Sequence, residues 1–330
     1  MAAESSSNKP AEDRPRPVLS VVAPLYNEQD TVSELVRRVV QACRALGVPF
    51  ELVVVNDGSS DETLPRLVTL SRDTPELRII NLLRNFGHMP ALSAGLCAAQ
   101  GDAVVAMDGD LQDPPELIPK LVADWRAGAD VVYGLRTGRR EPILKKAATS
   151  AFYWLLGRVS ETEIPKQVGT FGLMDRRVVD VLNGMPEIHR YFAGLRAWVG
   201  GKQSFVPYVR EDRGKGRSRV GPRGLCRLAR MALISFSKVP LRYASLFSLL
   251  CGFVLFAIGL FAIVVRLFSN LAIPGWATYT TMIGMMGFVQ SIVLAMISEY
   301  IAVIFDEVKG RPLFLVREEF AHGELVKKGS

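Results

Sequence analysis

Short apolar segments alternate with amphipathic segments from Val18 onward. The apolar segments are rich in Val and Ile, as strands buried on both faces of a sheet are, and they read VLSVVAPLY, FELVVVND, LRIINLL, DAVVAMD and DVVYGLR. The segments between them have helical periodicity and read TVSELVRRVVQACRAL, DETLPRLVTLSR, MPALSAGLCAAQ and PELIPKLVADWRAG. This alternation predicts an α/β fold with right-handed crossovers and a mainly parallel, Rossmann-like sheet.

Two long apolar runs follow in the C-terminal third of the chain, at residues 243–268 and 277–305. A membrane-spanning helix needs about 20 mostly apolar residues, and both runs exceed that length. They predict a two-helix transmembrane hairpin, after which residues 306–330 form a tail on the side where the chain started. A buried hairpin in a soluble core is the alternative, but core helices seldom stay apolar on every face for so long.

Between Arg136 and the first apolar run the pattern is less regular. The segment ILKKAATSAFYWLLGRV predicts a basic helix, GGKQSFVPYVRED a late strand and RGKGRSRVGPRG a flexible basic loop. Residues 222–242 combine an apolar face with basic side chains that lie mostly elsewhere. Such a basic amphipathic helix next to a span is expected to lie on the membrane surface, with packing against the soluble domain as the alternative.

Composition and charge agree with a membrane protein. The chain has 330 residues, of which 49% are hydrophobic, and the excess lies in the two apolar runs. Residues 1–135 hold 12 basic and 19 acidic side chains, whereas residues 136–242 hold 22 and 8. The positive-inside rule places this basic section, and the N-terminal domain with it, in the cytoplasm. It suits anionic lipid head groups or phosphates, and no nucleic-acid motif accompanies it, so nucleic acid is not a predicted partner.

The N-terminus and the cysteines exclude other classes. Residues 1–17 lack an apolar h-region, so they predict a disordered leader rather than a signal peptide. The four cysteines have neither metal-type spacing nor a pairing pattern, which is typical of a reducing compartment.

Polar motifs stand where three predicted strands end, in PLYNEQD, NDGSSDET and MDGDLQD. Ligands of such sheets bind beyond the carboxyl ends of the strands, so we expect the three motifs to converge. Asp108 and Asp110, one residue apart, are suited to a hard divalent cation, whereas Asp113 and Glu116 are predicted to start a helix. Asp57 is placed to accept an N–H from a base. Neither a P-loop nor a G-x-G-x-x-G motif is present.

In order and spacing, these motifs resemble glycosyltransferase family 2, and within it the polyprenyl-phosphate glycosyltransferases. The resemblance also rests on LLRNFGHMPALSAGL, GLRTGRREP, HRYFAGLRAWVG, FSKVPLR and SEYIAVIFDEVKGRP, and it spans roughly residues 18 to 315. It implies a GT-A domain over residues 18–221, a nucleotide-diphosphate sugar donor, polyprenyl phosphate as acceptor, and Mg²⁺ or Mn²⁺. It further implies a multi-pass protein of the bacterial inner membrane with a cytoplasmic catalytic domain; a homo-oligomer is compatible with the sequence.

The resemblance also implies roles for single residues. The nucleotide would be held by Pro24, Tyr26, Glu28 and Asp57. The metal would be held by Asp108, Asp110 and Gln112, and the catalytic step carried by Asp108, Asp110 and Arg136. Donor or acceptor phosphates would be bound by Arg136, Arg139 and Lys146, and the acceptor side by Arg190 and Ser218.

One motif departs from the family pattern. Many bacterial relatives read Gly-Asp-Phe-Arg-Leu where this chain has GTFGLM, with Thr170 and Gly172. In some relatives that aspartate is a proposed catalytic base, but a phosphate acceptor is already a good nucleophile at neutral pH. We interpret the change as one of substrate geometry or donor choice, with lost activity as the alternative. Structural and functional interpretations both stay open for His88, His189 and Glu299.

The leading hypothesis is an inverting, metal-dependent transfer of a single sugar to polyprenyl phosphate. A processive polysaccharide synthase is disfavoured, because the chain lacks a Gln-x-x-Arg-Trp motif and further membrane helices. A non-catalytic scaffold that binds nucleotide sugar or lipid phosphate is the rival from another class, and the GTFGLM segment is its only support. Family frequency favours a UDP-linked, glucose-like hexose, while a GDP-mannose donor stays open.

Overall fold

The computed structural model describes residues 17–137, 167–188, 190–209, 246–254 and 275–328, together with positions 165, 257, 261, 264 and 268. The strands are β1 (Leu19–Leu25), β2 (Phe50–Asn56), β3 (Leu77–Leu82), β4 (Ala103–Ala106), β5 (Val131–Thr137), β6 (Val168–Asp175), β7 (Gln203–Val209), β8 (Val316–Ala321) and β9 (Glu324–Lys328). The helices are α1 (Val32–Arg44), α2 (Thr63–Asp73), α3 (His88–Ala98), α4 (Ile118–Arg126), α5 (Arg176–Gly184), α6 (Phe192–Val199) and α7 (Trp276–Val308).

All nine strands form one sheet, in the order β7-β5-β6-β4-β1-β2-β3-β8-β9. The central strands β3, β2, β1 and β4 pair in parallel, as the alternating pattern predicted. Their side chains are almost completely buried, because α1, α2 and α4 cover one face of the sheet and α3, α5 and α6 the other. The carboxyl ends of these strands therefore lie along one edge of the domain, where ligands of open α/β sheets bind.

Strand β6 was not foreseen in the sequence. It lies between β4 and β5 and pairs antiparallel with both, so β5 runs in the same direction as the central strands but does not pair with them. Its sequence VGTFGLMD has two glycines and little of the Val and Ile enrichment that marks β1 to β4. Two neighbouring strands stabilise it where intrinsic propensity does not.

The C-terminal residues belong to the same sheet. Strands β8 and β9 form an antiparallel hairpin, and β8 pairs antiparallel with β3 at the sheet edge. Residues predicted only as a tail therefore extend the domain of residues 18–221. The pairing also fixes the position of the C-terminal end of α7, which precedes β8 by only a short segment, residues 309–315.

Helix α7 covers the second predicted membrane span. Its stretch Met282–Val308 is long and apolar enough to cross a bilayer, and it is the one such helix among the described residues. Most of its described side chains are exposed to the surroundings of the protein, and Ser291 and Ser298 donate to helix carbonyls four residues back. In lipid, polar groups must be satisfied within the protein in this way.

Other predicted segments are described only in part or not at all. Residues 246–254 are helical, but much of the first predicted span, 243–268, lies outside the described residues, so the two-helix hairpin is not confirmed. The predicted leader over residues 1–17, except its last position, and the amphipathic segment 222–242 lie outside them as well.

Candidate active site

The Asp108-Gly109-Asp110 turn lies directly against the end of β1. A Cβ atom at Gly109 would lie 2.0 Å from Leu25 Cδ2 and 2.8 Å from the carbonyl oxygen of Pro24, so only glycine fits. The backbone amide of Gln112 donates to Asp110 Oδ1 over 3.1 Å, which shapes the turn. The predicted metal-binding motif and the predicted nucleotide motif are thus in contact.

Arg136, at the end of β5, faces two of the carboxylates. Its Nη2 lies 3.8 Å from Asp108 Oδ2 and 3.7 Å from Asp113 Oδ1. Its Nε donates to the hydroxyl of Tyr208 over 3.1 Å, and that hydroxyl donates to Asp113 Oδ1 over 2.5 Å. Arg136 and Tyr208 are direct partners in the β5–β7 register. The prediction that Arg136 belongs to the strand-end site agrees with this geometry.

Asp113 has a different place from the one predicted. It is completely buried, and its side chain anchors Arg136 and Tyr208 rather than only starting a helix. Burial alone would lower the pKa of Arg136, but Asp113, Tyr208 and Asp108 together outweigh it and the pKa is raised. The pKa of Tyr208 is raised by burial and by Asp113. Glu116, the other acid predicted to start this helix, lies in a 3₁₀ turn and accepts two hydrogen bonds from Arg38.

His88 lies at the site. It is the first residue of α3, and its Nε2 is 3.4 Å from Asp108 Oδ1 and 3.5 Å from Thr170 Oγ1. The side chain of Thr170, one of the two departures from the family pattern, therefore faces the carboxylate motif. Of the two interpretations left open for His88, the one near the site agrees with the geometry.

Hydrogen bonds join the PLYNEQD motif to the NDGSSDET motif. We call this contact between residues 27–29 and 59–63 the joint. The backbone amides of Asn27, Glu28 and Gln29 donate to Ser59, Thr63 and Asp61 over 3.0, 3.0 and 3.3 Å. In return, Asn27 Oδ1 accepts from the amide of Ser60 over 2.9 Å and Gln29 Oε1 from Glu62 over 3.0 Å. Tyr26 is 36% exposed beside this joint, and Pro24 is buried.

Asp57 connects this joint to the loop that precedes α3. Its two carboxylate oxygens accept the backbone amides of Phe86 and Gly87 over 2.8 and 3.0 Å. Burial raises the pKa of Asp57, and these two hydrogen bonds oppose the rise. Asp57 thereby holds the loop that leads to His88, a function additional to the base contact that the sequence suggested.

Gly58 is required beside this joint. Its φ is +64°, and a Cβ atom there would lie 2.4 Å from the carbonyl carbon of Arg84. We expect Gly58→Ala to lower the thermal unfolding midpoint by more than about 6 °C, because backbone strain adds to a clash with backbone atoms. Gly47→Ala is the matched control, since Gly47 has φ +63° and open space around it. It should lose only about 1 kcal/mol, or about 2–4 °C. Equal losses would contradict the close approach.

Gly172 leaves room for the buried guanidinium of Arg196, which the sequence did not indicate. A Cβ atom at Gly172 would lie 2.9 Å from Arg196 Nη1 and 2.4 Å from the carbonyl oxygen of Val132. The Arg196 guanidinium is completely buried, lies over the rings of Tyr133 and Phe192, and donates to the carbonyl of Gly169. Burial lowers the pKa of Arg196 to about 10.

Arg190 braces the loop that precedes α6. Its guanidinium donates to the carbonyls of Met185 and Glu187 over 2.6 and 3.1 Å and to Ser93 Oγ over 3.3 Å. Burial lowers its pKa. Its predicted contact with the acceptor stays a prediction. The same loop meets the end of α7, where Glu307 accepts the backbone amide of Ile188 over 2.9 Å.

Several predicted positions are not described. Arg139, Lys146, Ser218 and His189 lie outside the described residues, and so does the side chain of Glu299 in α7. The predicted metal ligands are oxygen donors, the type that Mg²⁺ and Mn²⁺ take. Within the described ranges no group of three or more His, Cys, Asp or Glu side chains is arranged as a metal site. The fit of a metal therefore rests on Asp108 and Asp110 with a substrate diphosphate.

Comparison with known proteins agrees with this assembly. Residues 20–182 match the model of Glycosyl transferase family 2. A glycosyltransferase of Synechocystis sp., itself described as uncharacterized, is 40% identical over 91% of this chain and 95% of its own length. The bactoprenol glucosyl transferase of Shigella phage SfII is 36% identical over 91% and 97%. The chain belongs to glycosyltransferase family 2, and within it to the polyprenyl-phosphate glycosyltransferases. The parallel core of its sheet is that of the predicted GT-A fold.

Solved structures resemble the chain more distantly. A mannosyltransferase from Pyrobaculum calidifontis, in complex with GDP-Man and Mn²⁺, is 18% identical, covers 84% of this chain and 87% of its own, and has a TM-score of 0.43. A glucosyl-3-phosphoglycerate synthase from Mycobacterium tuberculosis, in complex with Mn²⁺, UDP and product, is 22% identical over 66% and 76%, with a TM-score of 0.41.

Proposed function

We propose that this glycosyltransferase moves a single sugar, with inversion, from a nucleotide-diphosphate sugar to polyprenyl phosphate at the cytoplasmic face of the membrane. The contact of the Asp108–Asp110 turn with the nucleotide motif at β1, opposite the guanidinium of Arg136, carries the proposal. Carboxylates that could hold a cation, beside an arginine at a strand-end edge, are groups that can stabilise a departing diphosphate.

Asp108 and Asp110, with Gln112, would hold Mg²⁺ or Mn²⁺. A divalent ion there would neutralise the charge that develops on the departing diphosphate. Pro24, Tyr26, Glu28 and Asp57 would hold the nucleotide, because the hydrogen-bonded joint borders the carboxylate turn.

Arg136 would bind a phosphate group that enters between it and the carboxylates. Its Nη2 lies 3.8 Å from Asp108 and 3.7 Å from Asp113, distances longer than a hydrogen bond, so a substrate oxygen that enters between them could accept from the guanidinium. Asp113 and Tyr208 would fix the orientation of its fork. Arg139, Lys146, Arg190 and Ser218 would serve the acceptor phosphate.

A two-span membrane hairpin is supported by the position of the tail. Strand β8 pairs with β3, so the C-terminal end of α7 emerges on the side of the catalytic domain. If α7 crosses the bilayer, its N-terminal end lies on the opposite side, and the chain must cross once more before Trp276. The apolar run 243–268 has the length for that crossing. The positive-inside rule would make the side of the domain the cytoplasm, at the bacterial plasma membrane.

The donor is proposed to be a UDP-linked, glucose-like hexose, because relatives that match nearly their whole length are named bactoprenol glucosyl transferases. Polyprenyl phosphate as acceptor follows from the same names. A GDP-mannose-dependent version of the reaction is the alternative.

A donor panel tests the proposal. Purified protein in detergent would be incubated with polyprenyl phosphate, Mg²⁺ or Mn²⁺, and radiolabelled UDP-glucose, UDP-galactose, UDP-N-acetylglucosamine or GDP-mannose. We expect label to enter the organic phase with UDP-glucose, and only when metal and lipid phosphate are present. Labelling from GDP-mannose alone would replace the donor assignment. No labelling of the lipid by any donor, with a folded protein, would contradict the transferase and favour a binding scaffold.

A further inference from the structure

A chain of polar side chains runs through the sheet from the C-terminal hairpin to the nucleotide joint. Asn81 Nδ2 donates to Glu318 Oε2 over 3.1 Å, across the β3–β8 pair in which these residues are direct partners. Asn56 Nδ2 donates to Asn81 Oδ1 over 2.8 Å. Asn56 Oδ1 accepts the amide of Ser59, whose hydroxyl accepts the amide of Asn27.

The carboxylate of Glu318 gives this chain a direction. An ionised carboxylate only accepts hydrogen bonds, so Asn81 must turn its NH₂ group toward Glu318 and its oxygen toward Asn56. Asn56 must then present its NH₂ to Asn81 and its oxygen to Ser59. Because Asn56 and Asn81 are 1% and 4% exposed, water cannot easily replace a partner that is turned the wrong way.

This series of hydrogen-bonded side chains ends where the proposed site for the sugar donor begins. Asn56 immediately precedes Asp57, and Ser59 and Asn27 belong to the joint beside Tyr26. The other end of the series, Glu318, lies in β8, the strand that follows α7. The backbone amide of Leu83 donates a hydrogen bond to the carbonyl of Leu315, which directly precedes β8. The link therefore runs from the segment that follows the proposed membrane helix to the nucleotide loops.

We propose that Glu318 is a positioning residue of the donor site, which acts through Asn81 and Asn56 to hold the 57–63 loop in its binding geometry. Glu318 does not itself contact the substrate. The inference rests on the proposed function for its kinetic consequence only, because the effect on the loop can be measured without substrate.

The proposal is tested by exchanging the hydrogen-bond donor at position 81 with the hydrogen-bond acceptor at position 318. Asn81→Asp places two carboxylates opposite each other, so the hydrogen bond to Glu318 is lost and their repulsion displaces the oxygen that accepts from Asn56, although the size of the side chain is unchanged. Glu318→Gln alone keeps an acceptor for Asn81 but not the carboxylate that forces its orientation, so it should have a smaller effect of the same kind. Combining Asn81→Asp with Glu318→Gln restores every hydrogen bond, because the new carboxylate accepts from both Asn56 and the new amide. Glu319→Gln is the matched control, since Glu319 lies on the same strand opposite Ile80.

Hydrogen exchange measured by mass spectrometry, without substrate, gives the first readout. We expect Asn81→Asp to speed exchange in residues 57–63 at least about tenfold and the double variant to return it to within about threefold of wild type. Glu318→Gln should lie between wild type and Asn81→Asp, and Glu319→Gln should stay close to wild type. Faster exchange throughout the sheet, or a double variant as fast as Asn81→Asp, would overturn the proposal.

Donor kinetics give the second readout. In Asn81→Asp we expect the KM for the nucleotide sugar to rise about tenfold, with kcat changed less than about twofold and the KM for polyprenyl phosphate unchanged. The double variant should recover the donor KM, and a change confined to the donor KM separates positioning of the donor site from a general structural defect, which would also lower kcat. An unchanged donor KM in an active Asn81→Asp enzyme would refute the positioning role and leave the transferase intact. An inactive wild type would refute the transferase, while hydrogen exchange would still decide whether the link holds the loop.

Discussion

Asp110→Asn should lower transfer of sugar to polyprenyl phosphate by about 10³-fold or more while the protein stays folded. The substitution removes one negative charge from the turn that would hold the metal, and electrostatic stabilisation of a leaving group is worth this much in many enzymes. It should leave the turn itself intact, because the asparagine oxygen can still accept the amide of Gln112 that Asp110 Oδ1 accepts over 3.1 Å. The measurement is label entering the organic phase, with the thermal unfolding midpoint recorded in parallel.

Asp180→Asn provides the matched control for the loss of a carboxylate. The side chain of Asp180 is 63% exposed on α5. Its Oδ1 lies 3.5 Å from Nη1 of Arg176, one helical turn earlier. This variant should keep its activity within about twofold, because exposed pairs of this kind contribute little. Retention of a tenth or more of the activity in Asp110→Asn would mean that Asp110 does not serve the proposed metal, and the mechanism would have to be rebuilt around other groups.

The fold was predictable where local pattern and burial coincide. Strands β1 to β4 are Val- and Ile-rich and buried on both faces, so the sequence marks them directly. Strands β8 and β9 read VREEFA and ELVKK, a pattern that an exposed hairpin or a tail would share. Their place depends on pairing with β3, across 237 positions between Asn81 and Glu318. Local pattern does not encode contacts of that range.

The same limit separates the predicted from the missed parts of the site. Asp108 and Asp110 follow a strand within a few residues, so their convergence with the nucleotide motif could be expected from the ends of parallel strands. Asp113 was assigned to a helix start because two prolines and a glutamate follow it. Its actual partner Tyr208 lies 95 positions away and reaches it only because β5 and β7 pair in register. Arg196 gave no signal, since its burial depends on the space left by Gly172.

These long-range contacts share one consequence. The site combines a locally encoded part, the strand-end carboxylates and nucleotide loops, with supports from β7 and the C-terminal hairpin. Both supports come from chain segments that flank the proposed membrane region, residues 203–209 before it and 316–321 after it. If the proposed membrane segments insert into a bilayer, the candidate site is complete only when the chain on both sides of them has joined the same sheet.

Arg136→Met should lower kcat for transfer by about 10²–10³-fold, because it removes the guanidinium proposed to meet substrate phosphate. It should also destabilise the domain by about 2–3 kcal/mol, since the completely buried carboxylate of Asp113 then loses the positive charge 3.7 Å away. The loss of stability alone could lower activity in an assay. The two effects must therefore be separated before the arginine is assigned a role in the reaction.

A second substitution separates them. In the double variant Arg136→Met with Asp113→Asn, the buried charge is removed, and the amide oxygen can still accept from Tyr208, which donates to Asp113 over 2.5 Å in the wild type. We expect the thermal unfolding midpoint to recover most of its loss while kcat stays low. Arg136→Lys should fall between, because a lysine keeps the charge but not the fork that contacts Tyr208 and a phosphate together. If activity returned with stability in the double variant, Arg136 would support the fold of the site and would not bind the substrate.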